Sequence, residues 1–229
     1  MAYEETYPWI TVEVEVLNSA LAKQTLQAGE ADLALLSWLE EADKQHPNAS
    51  EEPRWSQLFA HDGIAVIVHP AAPFTEMGLA HLQEIFRGRV QEWSGTVLTV
   101  VSREEGSGTR AAFESAVLSG YDTTLTAVVM PSSEAVIEYV ARTPGAIGYV
   151  STLRIQVALR PQESVVDGVR VLPVEGASLT TATLSDGSYP LSRPLYLVTI
   201  AEPVGEAREF AQWVLGSEGQ AVVGRFQGR

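Results

Sequence analysis

The sequence predicts an α/β fold with mainly parallel sheets flanked by helices. Three observations carry that expectation. Short apolar or alternating runs of strand length recur along the chain, at 10–16, 31–36, 64–68, 97–101, 128–130, 146–151 and 195–200. Segments with helical spacing and helix-cap residues lie between them. The two kinds of segment alternate rather than cluster, and that order favours crossover connections.

Ile10, Val12, Val14 and Val16 share one face against Thr11, Glu13 and Glu15, which predicts a period-two strand. Asn18 and Ser19 precede a helical stretch over 20–28 that ends at Gly29, and 31–36 is a nearly apolar strand. Together these read as a β-α-β unit. Residues 40–54 are polar, with two prolines, and predict a surface loop. Asn48-Ala49-Ser50 inside it is formally a glycosylation sequon, without further support. A buried strand follows at 64–68, stopped by His69-Pro70. Leu79, Leu82, Ile85 and Phe86 predict an amphipathic helix over 78–87, closed by Gly88. Later expectations are helices over 110–117, after Ser132-Ser133-Glu134, and over 206–215, with a short last helix capped by Ser217. Residues 160–190 read as irregular. The proline-marked passages near 69–73 and 173–190 suggest two crossings between lobes, so that 1–69 and 176–229 form one discontinuous lobe and 70–175 the other.

Composition narrows the function. The 229 residues carry 15 Lys+Arg against 29 Asp+Glu, a formal net charge of −14, with 45% hydrophobic residues. That is globular composition, and its acidity argues against a nucleic-acid groove or an anionic membrane surface as partner. No apolar run approaches the ~18 residues of a membrane span. There is no cysteine, which excludes disulfides, Cys-ligated metals and a thiol nucleophile. No signal peptide is visible at the N-terminus. The four histidines, at 46, 61, 69 and 81, lack metal-ligand spacing, and the paired carboxylates sit in surface-like runs. No metal, cofactor or catalytic activity is expected.

One stretch points to chemistry. A strand over 97–101 runs into Ser102-Arg103-Glu104-Glu105-Gly106-Ser107-Gly108-Thr109, and a helix follows. Gly106 and Gly108 permit unusual backbone angles and close approach of a ligand. The helix start offers unpaired amides and partial positive charge. Ser107 and Thr109 add hydroxyls, and Arg103 adds a planar donor fork. Such a corner suits a small oxyanion. The competing reading is an ordinary Gly-Ser turn and N-cap, with Arg103 paired to Glu104 or Glu105.

Arg103-Glu104-Glu105-Gly106-Ser107-Gly108-Thr109 resembles the anion loop of phosphate-binding proteins of ABC importers, two-lobed periplasmic solute-binding proteins. Asp62–Pro70, Ile85–Trp93, Thr143–Val150, Tyr189–Tyr196 and Val214–Gln220 resemble further segments of that family, in the same order. The resemblance implies a two-lobed periplasmic-binding-protein-like fold and a protein that captures phosphate between its lobes for ABC permease membrane subunits. It also implies an exported protein, periplasmic or extracellular, with or without a lipid anchor. Arg103, Gly106, Ser107, Gly108 and Thr109 would hold the anion from one lobe. Ser19 and, more weakly, Ser37 would do so from the other. A plain N-cap is the alternative for Ser19, and a strand-end turn for Ser37. Asp32 would be structural.

The chain also departs from the pattern. It opens at Tyr3–Pro8, which resembles the end of the family's first helix, so the first lobe is expected to be shortened, without the N-terminal strand and Gly-Ser-Thr loop. Trp38 follows Ser37 where the family carries a polar or charged residue. No carboxylate is identified to accept a phosphate proton; Glu40 and Glu41 are merely nearby. The tail Gly224–Gln227 lacks the family's closing strand. The departures leave an alternative open: a non-transport binding or sensor domain, or a site for molybdate, tungstate or sulfate.

Overall fold

A computed structural model describes residues 2–39, 55–155, 165–166 and 168–226. The expected loop at 40–54, with its sequon and Glu40 and Glu41, lies outside the described residues. The chain forms two compact units. Unit one is Met1–Ala60 with Pro194–Gln227, and unit two is His61–Arg193. Two strands, β2 (Trp55–Val68) and β10 (Ser192–Thr199), carry the chain from one unit to the other.

In unit one, α1 (Ala2–Thr6) leads through an extended stretch to α2 (Ser19–Gln27). Asn18 is the N-cap of α2, its Oδ1 accepting from the Leu21 amide at 2.9 Å. Strand β1 (Ala34–Leu36) pairs antiparallel with β10, which lies between β1 and β2. Neighbouring residues of β10 face opposite ways. Val198 therefore packs with Leu26, Leu36 and Leu39. Leu197 packs with Ala211 and Val214 of α7 (Gly205–Leu215), walled by Trp55, Phe59, Phe210 and Trp213. Gly216 separates α7 from α8 (Ser217–Phe226), in which Ser217 is the first helical residue rather than the cap.

The expected strand over 10–16 is not formed: residues 10–18 adopt neither strand nor helix. Val14 and Val16 are 67% and 75% exposed. Alternation states which face a strand would bury, but a strand also needs a neighbour for its amides and carbonyls. The backbone partners of this stretch are local: Ile10 donates to the Tyr7 carbonyl and Val12 to Glu4. Without that strand the expected β-α-β unit is absent, and β1 runs antiparallel to its neighbour.

Unit two has a parallel centre. β5 (Thr99–Arg103) lies between β6 (Val128–Met130) and β7 (Ala146–Ser151), parallel to both. The strands around that centre are antiparallel. β2 meets β7 from Ile64↔Ser151 to Val68↔Ile147, and β9 (Val169–Val171) pairs with β2 and with β8 (Val165–Val166). Parallel neighbours need a crossover helix. α4 (Gly108–Leu118) and α5 (Ser133–Arg142) connect β5, β6 and β7, whereas β2 enters from unit one with no such connection to β7. Helix α3 (Leu79–Phe86) contacts α4. The core stacks Phe113 on Tyr149 at 4.0 Å between ring centroids, with Phe86 4.7 Å from Phe113. A hairpin of β3 (Glu92–Trp93) and β4 (Thr96–Val97) precedes β5. The stretch expected to be irregular contains β8, β9 and α6 (Thr181–Ser185) among its described residues. No helix among the described residues is long and apolar enough to cross a membrane.

Candidate functional site

The corner between β5 and α4 forms as a strand, a tight turn and a helix start. Gly106 takes φ +85°, the left-handed conformation that a side chain disfavours. This lets the chain reverse, so that Ser107 donates its amide to the Glu104 carbonyl at 3.3 Å and caps α4. Ser107, Gly108 and Thr109 are buried.

The Ser107 side chain accepts from the Arg110 amide at 3.4 Å, and the Ser107 carbonyl accepts from Ala111 at 3.0 Å. The amides of Gly108 and Thr109, in the first turn, have no intrahelical acceptor. Both hydroxyls already accept one bond. Ser107 Oγ takes the Arg110 amide, and Thr109 Oγ1 takes Arg193 Nη1 at 2.8 Å. Each keeps its one hydrogen to donate. The corner therefore carries two amide and two hydroxyl donors directed at no acceptor of the helix itself.

Arg103 is 9% exposed and firmly held. Its Nε and Nη2 donate to the two carboxylate oxygens of Glu104 at 2.8 and 2.9 Å. Nη1 donates to Ser133 Oγ at 3.0 Å, and Nη2 also approaches the Pro131 carbonyl at 3.4 Å. Four of its five N–H groups thus have partners. The pairing with Glu104 weighed as the alternative is present, and it leaves one Nη1 hydrogen. Behind Arg103, Ser102 Oγ and the Tyr149 hydroxyl lie 2.8 Å apart. Burial pushes the Tyr149 phenol up to about 12, although the Ser102 bond opposes the shift. Arg110 pairs with Glu114 at 2.9 Å and also donates to the Arg103 carbonyl. The charges near the corner are therefore largely paired, and apart from that one Nη1 hydrogen its free donors are neutral dipoles.

Sequence reasoning missed two residues. Asp62 and Arg193 form a buried ion pair, Nη2 to Oδ2 at 2.7 Å, with side-chain exposures of 0% and 5%. Ser151 and Thr152 also donate to Asp62, and Arg193 reaches Thr109. The available signal was a lone carboxylate beside the apolar run Gly63–Val68, and a lone guanidinium between Leu191 and Pro194. Charges in such surroundings are seldom buried without a partner.

In unit one, Ser19 and Ser37 come together, Oγ to Oγ at 3.3 Å. Ser19 is the first residue of α2 and does not cap it, because Asn18 does. One hydroxyl must donate to the other, so the pair keeps one hydrogen for a further acceptor. A separate cavity in unit one, about 530 Å³, is lined by residues including Tyr7, Trp213 and Glu218 and holds none of these candidates. An open cavity of that kind says less about anion binding than the donor geometry at the corner does.

A family model for the PBP superfamily domain matches residues 1–218. The phosphate-binding protein PstS of Bacillus subtilis is 28% identical over 171 residues, covering 72% of this chain and 54% of that protein. Phosphate-binding protein PstS 2 of Streptococcus agalactiae is 34% identical over 157 residues, 64% of this chain and 50% of that protein. The chain thus spans about half the length of these relatives. A crystal structure of a Clostridium perfringens protein, described as a phosphate ABC transporter substrate-binding protein with bound phosphate, superposes with a TM-score of 0.82. It is 26% identical, and the match covers 99% of this chain and 90% of that one.

Proposed function

We propose, from the premise that this chain belongs to the PBP superfamily, that it captures phosphate and delivers it to the membrane subunits of an ABC importer. One observation carries the reading: the β5–α4 corner holds two first-turn amides and two hydroxyl hydrogens with no acceptor in the helix. A tetrahedral oxyanion would satisfy all four, and the positive end of the helix dipole favours its charge. Arg103 contributes its remaining Nη1 hydrogen. The names of the similar proteins support phosphate as the anion, and binding rather than turnover as the activity. The working place of such a receptor is periplasmic or extracellular.

The overall charge of −14 does not oppose this reading. Surface charges are screened over ~8 Å at physiological salt, so they slow encounter more than they weaken a buried complex. Calorimetric titration with phosphate, sulfate, molybdate and tungstate tests the proposal. Saturable heat with phosphate at one site per chain is expected. Preference for another of these anions would reassign the ligand, and a folded sample that binds none would remove the function.

A further inference from the structure

We infer that Arg193 is a positioning residue of the anion site, acting through Thr109, and that Asp62 holds it there. The inference rests on the anion reading above and concerns how that site is set. Arg193 makes three directed bonds. Nε and Nη2 donate to Asp62 Oδ2 at 3.0 and 2.7 Å, and Nη1 donates to Thr109 Oγ1 at 2.8 Å. Asp62 is fixed in turn by Ser151 Oγ at 2.7 Å and by the Thr152 hydroxyl, which itself accepts from the Gly63 amide at 3.1 Å. With Arg193 donating to one lone pair of Thr109, the hydroxyl's hydrogen is turned away from the guanidinium and free to be donated outward. The unprotonated oxygens of an oxyanion only accept hydrogen bonds, so an oriented donor is what they need. The planar fork of arginine spans a carboxylate and a hydroxyl at once, which a lysine ammonium does less well.

Asp62 lies one residue past the point where β2 enters unit two, after Ala60-His61. Arg193 is the last residue of unit two before β10 leaves it. Both crossing strands are therefore tied to one ion pair, and that pair is tied to the loop that would hold the anion. Occupancy of the corner and the state of the crossing strands share a single guanidinium.

A double-mutant cycle tests this. Arg193→Gln, the near-isosteric Thr109→Val and their combination are titrated with inorganic phosphate and melted in parallel. Arg193→Gln should weaken binding by about tenfold in the natural background, the scale of one hydrogen bond to a charged group. In the Thr109→Val background the same change should cost at most about twofold, because its route to the anion is gone. Arg193→Lys keeps a cation beside Asp62, so it should stay folded and still lose affinity; it replaces Arg193→Gln in the cycle if that variant does not fold. Equal losses in both backgrounds, or a phosphate affinity unchanged by either substitution of Arg193, would overturn the inference while leaving the binding function intact. A wild-type protein that takes up no anion removes both.

Discussion

Replacing Ser107 by alanine separates a helix cap from a ligand. Its Oγ accepts from the Arg110 amide at 3.4 Å, a long bond, so the capping contribution falls at the low end, ~0.5 kcal/mol. In a chain of this size that lowers Tm by only about 1–2 °C. Its hydrogen, in contrast, is free for an anion. Loss of one hydrogen bond to a charged ligand costs ~1.5–3 kcal/mol, or about 10- to 150-fold in Kd. The control is Thr180→Ala, which removes the cap of α6 and its 3.1 Å bond to the Thr183 amide but touches nothing at the corner. Calorimetry with phosphate and thermal melts of the three proteins give the comparison. Thr180→Ala should lose about 1 kcal/mol of stability and no affinity. If Ser107→Ala melts lower yet binds phosphate within twofold of the natural protein, Ser107 is only a cap and the donor accounting is wrong.

Arg103→Lys should weaken phosphate binding by roughly tenfold, because a compact ammonium lacks the planar fork that spans both Glu104 oxygens and Ser133 while presenting a further hydrogen outward; titration checks it. Gly145→Ala combines a φ of +81° with a new Cβ 2.2 Å from the Val97 carbonyl oxygen, so a loss above ~3 kcal/mol and a Tm lower by about 6–12 °C are expected. Gly187→Ala has φ +75° but open space, and should cost only the ~1–2 kcal/mol of the backbone conformation. Alkaline melts should expose Tyr149. Its folded pKa, about 12, lies above the ordinary value of 10.0, so the unfolded chain loses its proton first. Its stabilising contribution is then full below pH 10 and falls as pH rises through 12, by up to ~3 kcal/mol. Tyr149→Phe should flatten that part of the profile.

The β5–α4 corner was legible because everything that shapes it is local. Gly106 sets the turn, Ser107 caps the helix three residues before Arg110, and Glu104 pairs with its own neighbour Arg103. The parallel centre β6-β5-β7 was legible for a similar reason, since strands at 97–101, 128–130 and 146–151 are joined by recognisable helices. Asp62 and Arg193 were not, because 131 positions separate them and neither has a local partner that marks it. The segment 10–16 misled for the opposite reason. Its alternation is clear, but pairing depends on a neighbouring strand, and alternation carries no information about that. Ser19 and Ser37 were each legible as element ends; their 3.3 Å contact follows from how α2 sits beside β1.

A crystal structure grown with saturating phosphate is the most direct test. The account predicts one phosphate with oxygens within 3.2 Å of the Gly108 and Thr109 amide nitrogens and of both hydroxyls, a distance set by ordinary hydrogen-bond geometry, roughly 2.7–3.2 Å. Phosphate bound elsewhere, with this corner filled only by water, would contradict it.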